Sequence, residues 1–146
     1  MDRPKFDMLK LENQVCFPVY VLSKEIIRKY RPYLDEIGLT YTQYIAMMVL
    51  WEEKKVNVKE LGQRLYLDSG TLTPLLKSLE SKGFVKRTRS DKDERVLIVS
   101  ITDRGMKLRE EALKIPPKIA ACLKLDSDEA VNFYGMLDKL IGGLTD

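Results

Sequence analysis

A mainly α-helical fold carrying a small β-hairpin wing is what this 146-residue sequence predicts, and three stretches predict it. Leu72, Leu75, Leu76 and Leu79 recur at i, i+3, i+4 and i+7, one apolar stripe on a helix, with Val58, Leu61 and Leu65 marking a shorter helix just before it. Phe84–Arg89 and Arg95–Thr102 are β-rich runs around the wholly polar Ser90-Asp91-Lys92-Asp93-Glu94, which is a hairpin with a charged tip. Long amphipathic patterns occupy both ends of the chain, more than one small core needs. The expected organisation is a single domain over 1–146. Segments of about 7–36 and 103–146 serve as dimerisation helices around a lobe of about 40–102.

In chain order, Leu11, Val15, Val19, Leu22, Ile26, Tyr30, Tyr33 and Ile37 follow steps of three and four. They predict one long helix, or two in line, from about Asp7 to Glu36, with Pro18 and Pro32 each removing a backbone hydrogen bond. Thr40 with Gln43 is a capping box that starts a second helix at Tyr41, running to about Glu53. Ile45 to Trp51 holds no polar residue, so this helix is expected at the buried centre. Val56 and Asn57 suit a short strand, and Asn57 with Glu60 forms another capping box. The striped helix ends near Lys82, with Gly83 just past its cap. Its start is either Asp68, which leaves Pro74 beyond the first turn, or Thr71, which puts Pro74 where no donor is needed. Thr102 caps a helix over about Asp103 to Leu113, which Pro116 and Pro117 interrupt. Asp126 or Ser127 caps a last helix striped by Ala130, Phe133, Leu137, Leu140, Ile141 and Leu144.

The side of the central helix away from its leucines carries Gly70, Thr71, Thr73, Pro74, Lys77, Ser78 and Ser81, all short, polar or basic. Two helices joined by the tight Tyr66-Leu67-Asp68 connection are either a helix-turn-helix with this face in a DNA major groove or a plain αα-hairpin in a helical domain. The hairpin that follows favours the first reading, because after a helix-turn-helix it is a wing. Lys82 to Arg95 holds six basic and three acidic residues, so the +3 of the whole chain is concentrated there.

Composition narrows the classes further. Histidine is absent, and with it the commonest metal ligand and general base. The sequence has no phosphate-binding glycine loop and no nucleophile–base pair, so neither an enzyme nor a cofactor is expected. Met1–Lys10 is charged, without the apolar core of a signal peptide, and no run reaches membrane-spanning length. Cytoplasm is the expected compartment, where two cysteines do not read as a structural disulfide.

The strings LYLDSGTLTPLLKSLESKG and RTRSDKDERVLIVSITDRG resemble the MarR family of winged-helix dimeric repressors. KLENQVCFPVY, RKYRPYLDEIGLTYTQY and VLWE are narrower and resemble its organic-hydroperoxide-sensing branch. The likeness runs from about Leu9 to Gly105, and Leu11-Glu12-Asn13-Gln14-Val15-Cys16-Phe17 is its most specific part. It implies a winged helix-turn-helix dimer built from the N- and C-terminal helices. It also implies that Cys16 is a peroxide-reactive thiol oxidised to a sulfenic acid, with the hydroxyls of Tyr30 and Tyr41 near the sulfur. Fourteen residues along one helix separate Cys16 from Tyr30 by about 21 Å, so such contact belongs across the dimer. From the residues alone, Cys16 in Val-Cys-Phe is a small buried hydrophobe.

For DNA, the resemblance carries Ser69, Thr71, Thr73, Pro74 and Lys77 into the major groove and Arg95 into the minor groove, with Asp93 bracing a wing arginine. Asp68 caps or positions rather than contacting phosphate. Lys86, Arg87 and Lys92 are assigned to phosphates. Some members of the branch carry a second cysteine that bridges to the sensor of the other subunit. Cys122 is either that resolving thiol or an inert packed one. The implied function is a repressor releasing a pseudo-palindromic operator on double-stranded DNA when organic hydroperoxide oxidises Cys16. The alternative is a MarR-type repressor answering a small aromatic ligand.

Overall fold

The computed structural model describes residues 4–145; the first three residues of the charged Met1–Lys10 stretch lie outside the described residues. By their contacts they divide into two compact units that meet in sequence at Leu113 and Lys114.

The first unit begins with two 3-10 turns, Asp7–Leu9 and Leu11–Asn13, followed by helix α1, Cys16–Glu36. The helix expected from Asp7 therefore starts nine residues later. Side chains explain the difference. Asn13 Nδ2 donates to the Asp7 carbonyl at 2.7 Å, and Gln14 Nε2 donates to those of Met8 and Lys10 at 2.6 and 2.9 Å. These bonds occupy carbonyls that a helix would use, and Gln14 is extended at φ −96° and ψ 110°. Cys16 thus becomes the first residue of α1. Pro18 falls in the first turn, where its missing N–H is no loss, and Pro32 lies inside the helix.

Helix α2, Tyr41–Glu53, opens with the complete Thr40–Gln43 capping box and buries Tyr44, Ala46, Met47, Val49 and Leu50. Strand β1, Lys55–Asn57, leads directly into α3, Val58–Leu65. Its cap closes on the Lys59 N–H, 2.8 Å from Asn57 Oδ1, rather than forming the reciprocal box expected with Glu60. Tyr66 takes the left-handed conformation at φ 56°, and Asp68 caps α4, Ser69–Ser81, by accepting from the Thr71 N–H at 2.8 Å. That decides between the two possible starts, and Pro74 stands inside the helix.

Helix α4 stops in a Schellman turn. The Phe84 N–H reaches the Leu79 carbonyl at 3.0 Å and the Gly83 N–H that of Glu80 at 2.9 Å, with Gly83 at φ +81°. The chain then enters β2, Val85–Arg89, and returns as β3, Leu97–Ile101. The sheet order is β1-β3-β2, antiparallel throughout, with Arg87 opposite Val99 and Val56 opposite Val99 from the other side. Leu61, Leu72, Leu76, Leu79 and Val99 are fully buried with α2 in one core.

Helix α5, Asp103–Ala112, is capped by Thr102, whose hydroxyl accepts from the Gly105 N–H and donates to the Gly83 carbonyl. Gly105 is packed so closely that an added Cβ would overlap the Phe84 carbonyl oxygen and lie 2.9 Å from Ile101 Cγ1. Trp51 Nε1 donates to the Gly105 carbonyl at 2.9 Å, fastening α5 to α2.

The second unit holds α6, Ile115–Leu123, and α7, Ser127–Leu144. Pro116 and Pro117 occupy the first turn of α6, so they restart a helix as well as ending one. Asp126 and Glu129 form a capping box at α7. No described residue of α7 is buried, and Phe133, Leu140, Ile141 and Leu144 are all exposed in the single chain. No described helix is long and apolar enough to cross a membrane.

Candidate nucleic-acid interface and thiol site

Helix α4 separates its two faces as its period requires. Leu72, Leu75, Leu76 and Leu79 are buried, whereas Ser69, Thr71, Thr73, Pro74 and Lys77 are exposed. An open cleft of about 680 Å³ is lined by Gln63, Tyr66, Ser69, Arg95 and Leu97, among others. Ser69 of the first turn of α4 and Arg95 of the wing therefore line the same hollow. Tyr66 joins them there, although its sequence suggested only a turn.

At the wing, Asp93 Oδ1 accepts from the Arg95 backbone N–H at 3.0 Å and from Nε at 3.1 Å, and Oδ2 accepts from Nη2 at 3.3 Å. These bonds hold the Asp93 carboxyl below its ordinary range. They fix the direction of a side chain that is otherwise 91% exposed. Lys86, Arg89 and Lys92 are also exposed.

Two basic residues of this segment turn inward. Arg87 Nη2 donates to Glu80 Oε1 at 3.2 Å and the Arg87 backbone N–H to Glu80 Oε2 at 2.9 Å, leaving the Arg87 side chain only 19% exposed. The backbone bond first, then the guanidinium, holds the Glu80 carboxyl below its ordinary range. Arg87 is thus a strut between α4 and β2, which corrects its assignment to phosphate. The signal was in the strand period, since Arg87 shares a pleat face with the buried Val85. Lys82 Nζ donates to Gly38 and Gln43 oxygens at 2.7 and 3.1 Å. We expect Lys86→Ala to lower the dependence of log K on log salt by about one, as a phosphate contact should. Arg87→Ala should weaken binding with that slope unchanged. Binding isotherms at several salt concentrations distinguish the two.

Cys16 is exposed as a free thiol. It is the first residue of the 21-residue helix α1, whose N-cap Val15 makes no side-chain capping bond. Tyr30 and Tyr41 do come together, with ring centroids 5.1 Å apart, but at the far end of α1 from Cys16 of the same chain. Tyr44 joins them at 5.8 and 6.3 Å and meets Trp51 edge to face at 6.3 Å. The sequence reading missed Tyr44, although its spacing of three from Tyr41 puts both on one helix face. Burial, then Tyr41, pushes the Tyr30 hydroxyl up; burial, then Tyr30 and Tyr41, pushes Tyr44 up to about 12. Both remain neutral phenols able to donate. Cys122 is exposed on α6. No group of three or more metal-ligating side chains occurs among the described residues.

Residues 22–112, from α1 through α5, match the family model described as transcriptional regulator SarA/Rot. The chain belongs to this family. The organic hydroperoxide resistance transcriptional regulator of Bacillus subtilis (strain 168) is 46% identical over 137 residues, covering 94% of this chain and 93% of that one. AbfR of Staphylococcus epidermidis is similar in its reduced, DNA-bound structure, with TM-score 0.78 and 36% identity over 98% of this chain and 100% of that chain. In its disulfide-formed structure the values are 0.63 and 36%, over 97% and 94%. A variant of MarR from E. coli complexed with operator DNA shares the fold, with TM-score 0.82 at 22% identity over 95% and 99%. The SarA/Rot chain described here is accordingly a DNA-binding transcriptional regulator with a MarR-type winged helix, and not an enzyme.

Proposed function

We propose that the chain is a cytoplasmic, homodimeric repressor that leaves a pseudo-palindromic operator when an organic hydroperoxide oxidises Cys16. The observation that carries this reading is an exposed thiol on the first residue of α1, in a chain 46% identical to a hydroperoxide resistance regulator. The apolar faces left exposed on α1 and α7, including Val19, Leu22, Phe133, Leu140 and Ile141, are covered by a second copy. Pairing brings the Tyr30–Tyr41 pair of one protomer toward the Cys16 of the other. The thiolate attacks the peroxide oxygen, the O–O bond breaks, the alcohol departs with a proton, and the sulfur is left as a sulfenic acid.

Ser69, Thr71, Thr73, Pro74 and Lys77 read the major groove, and Arg95, aimed by Asp93, enters the minor groove. Lys86 and Lys92 contact phosphates. A gel-shift titration on the DNA upstream of the chain's own gene, with and without cumene hydroperoxide, tests the whole reading. Loss of the shifted band on oxidation and its return with a thiol reductant are expected, and a band indifferent to oxidant refutes it. Footprinting should find two half-sites centred one helical turn apart, about 10–10.5 base pairs, or a multiple.

A second reading makes the effector a small aromatic ligand. It is favoured by a cleft of about 190 Å³ beside Tyr41, lined also by Ile27, Arg31, Leu34 and Leu39 among others. Release that needs no cysteine would select it.

Cys122 is proposed as the resolving thiol, condensing with the sulfenic acid of the other chain and expelling water. The disulfide-formed state known for AbfR supports the chemistry. Hydroperoxide should yield a covalent dimer on a non-reducing gel that is absent from Cys122→Ser. A wild type that releases DNA yet stays monomeric on that gel leaves Cys122 as packing.

A further inference from the structure

Among the described residues, Gln43 is the one polar side chain in the buried core. Its amide oxygen accepts from the Thr40 backbone N–H at 3.1 Å and from Lys82 Nζ at 3.1 Å, and its amide nitrogen donates to Ser78 Oγ at 3.0 Å. Lys82 Nζ also donates to the Gly38 carbonyl at 2.7 Å. Capping α2 requires only the first of these bonds, which a solvent-exposed glutamine would make equally well. The others join the α1–α2 corner to the last two turns of α4, across 35 and 39 residues of sequence.

The two ends of this network are the two ends of the proposed switch. Gln43 lies in the first turn of α2 with Tyr41, whose ring meets Tyr30. Ser78 follows Lys77 of the DNA face. A short chain of hydrogen bonds in a packed core does not stretch gradually. It holds or it breaks, and breaking leaves the buried Gln43 amide without its partners on α4. We infer that Gln43 is a positioning residue that ties the Tyr30–Tyr41 pair to the reading helix, so that displacement of the tyrosines on oxidation reaches α4 through Gln43, Ser78 and Lys82. This rests on the proposed function.

The test compares operator affinity before and after cumene hydroperoxide in intact wild type, Gln43→Met, Ser78→Ala and Ser78→Thr, with Cys16 oxidation followed by intact mass. Gln43→Met keeps the length without the polar ends. Ser78→Ala removes a single half-buried bond and guards against a Gln43 variant that fails to fold. The wild type should lose at least tenfold in affinity, within the usual range of coupling between sites. At equal Cys16 oxidation, Gln43→Met and Ser78→Ala should lose less than about threefold, and Ser78→Thr, which keeps the hydroxyl, should regain the wild-type response. A purely structural role would weaken both redox states alike and leave their ratio unchanged, which overturns the inference. A wild type that is oxidised yet keeps its operator overturns the function itself and this inference with it.

Discussion

Cys16→Ser is expected to bind its operator as the wild type does and to keep it in the presence of an organic hydroperoxide that strips the wild type from DNA. Serine preserves the size of the side chain and a hydrogen-bonding group at the head of α1, so the helix start and its packing are retained. A hydroxyl does not attack a peroxide under conditions that oxidise a thiolate. The expected effect is therefore nearly complete loss of response with little change in affinity. Gel shift over a range of cumene hydroperoxide concentrations measures it. A mutant still released by oxidant would transfer the signal to another group and favour the small-ligand reading.

Gly105→Ala should be the most damaging single methyl in the chain. The added Cβ meets the Phe84 carbonyl, which is backbone and already accepts from the Thr102 N–H at 3.0 Å. It also meets Ile101 at 2.9 Å. Neither neighbour is the free end of a flexible side chain. Helix α5 must move away from the sheet, and the Trp51–Gly105 bond stretches with it. Overpacking of this kind, against backbone, belongs at the upper end of the usual range, about 3 kcal/mol. That corresponds to a Tm lower by roughly 10 °C for a chain of this size. Thermal unfolding at fixed protein concentration reads it, and an unchanged Tm would mean that α5 docks otherwise than described.

The parts of the fold that were legible in the sequence are those with local causes. The leucine stripe of α4, the caps at Thr40 and Thr102, the glycine after Lys82 and the polar wing tip each announce themselves within a few residues. The start of α1 did not, because the apolar stripe continues upstream to Leu11 while the side chains of Asn13 and Gln14 take up the carbonyls. Arg87 looked like its neighbour Lys86 by charge, and only the alternation of a strand against α4 separates them. Gln43 read correctly as a cap. Its bonds to Ser78 and Lys82 depend on tertiary placement and leave no mark in local sequence.

The absence of any buried residue on α7 bears on how copies of the regulator mix. Most helical stability in proteins comes from packing an amphipathic face, and α7 buries no residue in the single chain. If a second copy covers it, folding and pairing are one reaction, and a protomer can change partners only by giving up its C-terminal helix. Subunit exchange between finished dimers then proceeds no faster than that unfolding. A defective copy would poison a wild-type one chiefly when the two chains are synthesised together, and hardly at all when ready-made dimers are combined.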